Sequence, residues 1–168
     1  MLTHVNKIMG IAICGLIMIS CVACQKSKTT ITALNKTFKN SKLQITATDV
    51  KAVHNEPGIL DDVLGGGEII IGVKLLVENI SKESISFGTR SLPIHAYIGD
   101  LEAKQAIISP FGNYTDLMGN ILPDKKKTGY YSVYATKDTE KIEVHIQTEY
   151  LSDKYVIFVL DIPSIADN

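Results

Sequence analysis

The run from 69 to 78 alternates without a break. Ile69, Ile71, Val73, Leu75 and Val77 fall on one side, and Ile70, Gly72, Lys74, Leu76 and Glu78 on the other. Successive side chains of an extended strand point to opposite faces, so this period of two predicts a long strand with one face sealed in a core. The pattern recurs in shorter form. Ile142, Val144 and Ile146 alternate with Glu143, His145 and Gln147, and Val156, Phe158, Leu160 and Ile162 mark one face of the last run. Leu43-Gln44-Ile45-Thr46-Ala47 alternates and then slips phase towards Val50 and Val53, which predicts a bulge. Further strands are expected at 85–87, 92–98, 101–108 and 130–135, with Gly99-Asp100 as a two-residue hairpin turn. Helix signals are weak: there is no long 3.6-residue stripe and no clear pair of caps. Seven or eight short strands with turns at regular spacing predict an all-β fold, a two-sheet antiparallel sandwich.

Cysteine placement divides the rest of the chain. Cys14, Cys21 and Cys24 all fall in the first 24 residues. The sandwich is therefore expected to hold no disulfide, no thiol nucleophile and no cysteine metal site. Lys7, with His4 nearby, makes a short basic head, and an apolar run follows from Ile8 to Ile19. At ~1.5 Å per residue that run spans about 18 Å, short of a ~30 Å hydrocarbon layer, so it has the proportions of a cleaved export signal. Val22-Ala23-Cys24, followed at once by Gln25-Lys26-Ser27-Lys28, resembles a bacterial lipobox. The resemblance implies lipid on the cysteine sulfur and cleavage just before it. Cys24 is the favoured site because the polar stretch begins directly after it, and Cys21 is the alternative. Residues 25–42 are rich in Lys, Thr, Ser and Asn and carry no acid, the composition of a flexible spacer. The expected division is a signal peptide over 1–23, a lipidated cysteine and basic tether over 24–42, and the sandwich over 43–168. The expected location is the outer face of the cell membrane, held there by lipid.

Composition and motifs exclude several functions. A net charge of −1 in 168 residues gives no basic field for nucleic acid. His54, His95 and His145 stand apart in sequence, and no His-Glu-x-x-His or Gly-x-Ser-x-Gly pattern occurs. Gly65-Gly66-Gly67 precedes a strand, whereas a phosphate cradle opens a helix. Asp61-Asp62 are adjacent carboxylates without the spaced oxygens that calcium requires. Lys125-Lys126-Lys127 fits a solvated turn that also blunts a sheet edge. No catalytic residue, metal ligand or cofactor is expected.

One loop stands out. Ser109 to Gly119 carries Phe111, Tyr114, Leu117 and Met118 in a segment broken by Gly and Pro. These four are either contact anchors for a ligand or a plug folded back over the end of the core. Tyr130 and Tyr134 lie on the opposite strand face from Tyr131 and Val133, where they would extend such a surface.

Several motifs together resemble a known family. A strong strand ends in Val-Glu-Asn-Ile-Ser (77–81), with Phe87 after it and Ala-Tyr-Ile-Gly-Asp at 96–100. Ile121-Leu122-Pro123-Asp124 then precedes Lys-Thr-Gly-Tyr-Tyr-Ser-Val-Tyr at 127–134. Residues 43–163 are similar to the immunoglobulin-like domain of unknown function common in lipoproteins of Gram-positive bacteria. That family is itself similar in fold to a secreted mycobacterial immunoprotective antigen. Asp124 stands where the family often has Gly. The resemblance implies an immunoglobulin-like sandwich and no established activity. The expected function is a non-enzymatic binding module for another envelope protein, a peptide or a wall polymer. The alternatives are an extracellular enzyme such as a protease, or an enzyme inhibitor acting through loop 109–119, or a structural spacer or antigen without a specific ligand.

Overall fold

The computed structural model describes residues 27–55, 68–106, 109–112 and 116–165. The leader, Cys21, Cys24, Asp61-Asp62, Gly65 to Gly67 and Tyr114 lie outside the described residues. The described residues form eleven strands: β1 Lys28–Ile31, β2 Thr37–Lys39, β3 Leu43–His54, β4 Ile69–Asn79, β5 Ile85–Phe87, β6 Ile94–Ile98, β7 Leu101–Glu102, β8 Gly119–Ile121, β9 Lys126–Ala135, β10 Lys141–Gln147 and β11 Tyr155–Asp161. One sheet has the order β1-β11-β10-β6-β7, and the second has the order β2-β3-β4-β9. β5 and β8 pair separately. The inner faces of the two larger sheets share one core, so the fold is the expected all-β sandwich.

Alternation builds this core as the sequence predicts. Ile69, Ile71, Val73, Leu75 and Val77 are all buried, as are Ile142, Val144, Ile146, Val156, Phe158 and Leu160 on the facing sheet. Each such side chain contributes roughly 1.5–3 kcal/mol on burial. Tyr131 links the two sheets directly: it lies on the inner face of β9, and its hydroxyl donates to the Ile94 carbonyl of β6 (3.3 Å). The phase slip in β3 is a register shift between Ala47 and Asp49 opposite β4.

Asn79 closes the end of β4. It is fully buried, and its amide donates to the carbonyls of Glu83 (2.7 Å) and Ile121 (2.8 Å). Its side-chain oxygen accepts from the Ser81 N–H (2.9 Å) and the Ser81 hydroxyl (2.8 Å). One side chain thereby ties β4, the following turn and β8 together. The backbone N–H of Asp124 also donates to the Asn79 carbonyl (3.0 Å). Asp124 has φ 56°, the left-handed conformation that glycine adopts freely and that aspartate tolerates better than most residues.

Three expectations are corrected. Residues 25–42 are not a spacer throughout, because β1 pairs in parallel with β11 and β2 pairs antiparallel with β3. Ile31 and Phe38 pack against the core and hold these two edge strands in place. The run 101–108 is not one strand: β7 ends at Glu102, and the chain crosses to the other sheet. There Gln105 bridges Val133, and the Ala106 N–H donates to the Ser132 carbonyl (2.9 Å). Residues 119–121, where no strand is expected from the sequence, form β8, paired with β5.

Candidate functional site

Loop 109–119 divides between two surfaces. Leu117 is fully buried in the main core, and Gly129 leaves the space it occupies: a side-chain carbon there would lie 3.2 Å from the Leu117 Cβ. The ammonium of Lys127 donates to the Met118 carbonyl and pins the segment to β9. Leu117 is therefore a core residue and not a contact anchor, and Met118 is half-buried beside it. Phe111 goes elsewhere, onto the outer face of the β2-β3-β4-β9 sheet beside Ile70, Ala106 and Tyr134. The Ser109 and Ser132 hydroxyls are 2.7 Å apart, and the Phe111 N–H donates to Ser109 Oγ (3.2 Å).

Gly72 is what allows this approach. A Cβ at that position would lie 2.3 Å from the Phe111 ring. Gly72→Ala is expected to lift Phe111 off the sheet, and overpacking of this kind costs roughly 1–3 kcal/mol. Thermal melts of Gly72→Ala, alone and with Phe111→Ala, check it: the second change should restore part of the loss. A Gly72→Ala variant that melts like the parent would show that the ring is not held there.

Tyr130 and Tyr134 do lie outward, as alternation requires, but they are largely covered. The Tyr130 ring packs on Phe111 with centroids 5.5 Å apart, and its hydroxyl donates to Asp49 Oδ2 (2.9 Å). Lys51 and Lys74 stand 5.8 and 5.7 Å from the same ring centroid. Burial, then the Asp49 carboxylate, pushes the Tyr130 phenol above its ordinary value, with Lys51 opposing. Tyr134 is 7% exposed. Phe111 and Tyr130 are half-buried on this face, held against each other and against the sheet.

The outer face of the other sheet carries a cleft lined largely by half-buried side chains. Register places His145 of β10 directly opposite His95 of β6, and Glu143 opposite Tyr97. The two histidines are not isolated, as their sequence separation suggests. The His95 Nδ1–H donates to Glu102 Oε1 of β7 (2.6 Å), and the His145 Nε2–H donates to Glu143 Oε2 (2.8 Å). Tyr97 stacks on the His145 ring with centroids 4.5 Å apart at 45°. Burial, then the Glu102 carboxylate and Tyr155, pushes the Tyr97 phenol up. Lys28, His95, Tyr97, His145, Asp153 and Tyr155 line an open cleft of ≈ 280 Å³. Among the described residues, no three His, Cys, Asp or Glu side chains converge as a metal site. What the cleft offers is two imidazoles, two phenols, an ammonium and a carboxylate, which suits hydrogen bonding and stacking on a polar ligand.

This pairing was hidden in the sequence because β6 and β10 lie far apart along the chain. The available signal was weak: His95 and His145 each occupy an outward position on an alternating run.

Comparison with known proteins places the fold. No protein-family model matches the chain, and no curated protein is a significant sequence match. Among solved structures, the chain is similar to the yjhA protein of Bacillus subtilis, with TM-score 0.54 and 18% identity over 79% of this chain and 100% of that one. It is also similar to a Bacillus subtilis protein named "putative lipoprotein (ycdA)", with TM-score 0.56 and 19% identity over 74% of this chain and 38% of that one. At such identities the likeness is one of fold alone.

Proposed function

We propose that the chain is a lipid-anchored, extracytoplasmic binding module without enzymatic activity, and that the outer face of the β1-β11-β10-β6-β7 sheet is its contact surface. The observation that carries this reading is the open array of Tyr97, His145, His95 and Tyr155. These are rigid, amphipathic side chains of the kind that dominate recognition surfaces. A peptide or wall-polymer segment laid across the strands would stack on the tyrosines and hydrogen-bond to the imidazoles. The anchor is supported by Val22-Ala23-Cys24 with its polar follower, and the name of one fold neighbour agrees with it. The inhibitor alternative has less support, because Leu117 is in the core and Phe111 is packed on the sheet.

Affinity capture from intact envelope with the full chain tests the reading. Tyr97→Ala with His145→Ala should melt as the parent does and lose roughly 30-fold or more in retention, the loss expected of an aromatic hot spot. Equal capture by parent and variant would remove the cleft from the proposal. Fatty-acid labelling tests the anchor: Cys24→Ala should abolish incorporation, and label that persists would move the site to Cys21.

A further inference from the structure

The parallel pairing of β1 with β11 fixes which end of the sandwich faces the anchor. Lys28 is in register with Tyr155, and the Tyr155 N–H donates to the Ser27 carbonyl (3.0 Å). The chain therefore enters the fold beside the turn 148–154. Only Gln25 and Lys26 separate Cys24 from Ser27. Three extended residues reach at most about 11 Å. A lipid on Cys24 would hold this end against the bilayer, with no long spacer between them.

The same end carries exposed apolar side chains. Tyr150 is 65% exposed, Leu151 84% and Leu122 60%. Leu151 also takes a left-handed φ of 52°, a conformation that costs a leucine and holds it at the tip of the β10–β11 turn. Hydrogen bonds show that these turns share one end: the Asn40 side-chain amide donates to the Thr148 carbonyl (3.4 Å), the Ile80 N–H to the Lys42 carbonyl (2.9 Å) and the Asn79 N–H to the Lys125 carbonyl (2.9 Å). Lys28, Lys42, Lys125, Lys126 and Lys154 are exposed there. Lys82 is exposed there too; the acids of this end are Glu78, opposite Lys126 in register, Glu83, Asp124, Asp153 and Glu149, the last paired with Lys154 (2.9 Å). At the far end, the turns carry Asp100, Asp138 and Glu140 against Lys137 and Lys141, so that end has no excess of exposed base in its turns.

We propose that this end is a docking surface for the anionic phospholipid bilayer, with Tyr150 and Leu151 seated in the interfacial layer and the surrounding lysines on the headgroups. The proposal rests on the lipid-anchor reading of Cys24. An exposed aromatic and aliphatic pair, at an end that also carries several exposed lysines, suits the boundary between headgroup and acyl chain. The contact would add a second, reversible attachment to the covalent one and fix the orientation of the sandwich. The cleft between Lys28 and Tyr155 would then open sideways, parallel to the membrane.

The chain contains no tryptophan, so a single introduced one reports its own surroundings. Full-length Tyr150→Trp, matured in a Gram-positive host and reconstituted in vesicles containing phosphatidylglycerol, should show blue-shifted emission and quenching by brominated acyl chains. Leu101→Trp at the far end, where Leu101 is 77% exposed, should show neither. Adding Leu151→Asp to Tyr150→Trp should lower the fraction of quenched tryptophan severalfold while leaving lipid attachment intact. The intact mass of the same preparations separates the two layers of the proposal. A lipid-bearing mass with no quenching in Tyr150→Trp overturns the docking and spares the anchor. A mass of bare amino acids overturns the anchor and the docking geometry with it. Equal quenching in both tryptophan variants would also overturn the orientation.

Discussion

Phe158→Ala is expected to lose roughly 3–5 kcal/mol of stability, the range for truncating a fully buried phenylalanine. Phe158 has no exposed surface. It lies at the middle of β11, in register with Val144 of β10 on one side and Ile31 of β1 on the other. Its ring therefore fills the core under the sheet and also helps seat the edge strand. Removing it opens a cavity that extended strands cannot close by shifting. Total stability for a domain of this size is about 5–15 kcal/mol, so the variant would stand near its unfolding threshold. Urea denaturation followed by far-ultraviolet circular dichroism checks this. Leu101→Ala, at an exposed position, should stay within about 0.5 kcal/mol of the parent. A Phe158→Ala midpoint as high as that of Leu101→Ala would contradict the sandwich packing described above.

Asn79 gives the second large effect through polar groups. Its side chain makes four hydrogen bonds in a site closed to solvent. Asn79→Ala abolishes all four and leaves the Ile121 carbonyl without that donor. Each net bond is worth about 0.5–1.5 kcal/mol, and a stranded buried carbonyl costs about 1–3 more, so a loss of at least ~3 kcal/mol is expected. Asn79→Asp separates shape from hydrogen bonding. An ionised carboxylate accepts but cannot donate, so it would face the Glu83 and Ile121 carbonyls as a like partner. The folded state would hold the proton more tightly than the unfolded state does, which raises the carboxyl pKa in the fold. Stability of this variant should then be best retained below the ordinary aspartate value near ~4 and fall as pH rises from there towards the higher pKa of the folded state. A pH series of chemical melts reads that slope directly. A flat profile would mean that the carboxylate finds water, and that the site is not closed.

The Asn79 turn was legible in the sequence, and the reason is local. Val77 ends an alternating run, and Asn79 with Ser81 supplies the side-chain oxygens that recur in tight turns. The β3 bulge was legible for a similar reason, since one extra residue shifts every later side chain to the other face. The long buried strands were legible because one face of each packs into the main core, which imposes a period of two on the sequence. Edge strands were not. β1 and β2 show solvent-exposed Lys and Thr, and a single partly buried residue in each, Ile31 and Phe38, ties them to the core. Composition alone reads such a stretch as a tether. The segment after Glu102 failed differently: its apolar residues serve two sheets in turn, so no single period describes it. In loop 109–119 the residue types were visible but their destinations were not. Leu117 and Phe111 go to opposite faces of one sheet, and the deciding features are Gly129 and Gly72 on distant strands. The histidine pair depends likewise on the register between β6 and β10, which is a long-range property.

The β1–β11 pairing also determines how the molecule bears tension. Lys28 to Ile31 runs alongside Tyr155 to Phe158 in the same direction, so the two ends of the fold emerge from opposite poles of neighbouring strands. A pull between residue 27 and residue 165 slides β1 along β11 in place of peeling it away. The hydrogen bonds between them then bear the force together, and rupture requires them to fail almost at once. Forced unfolding is governed by the height of that barrier and not by equilibrium stability. A hairpin at the same place would unzip bond by bond.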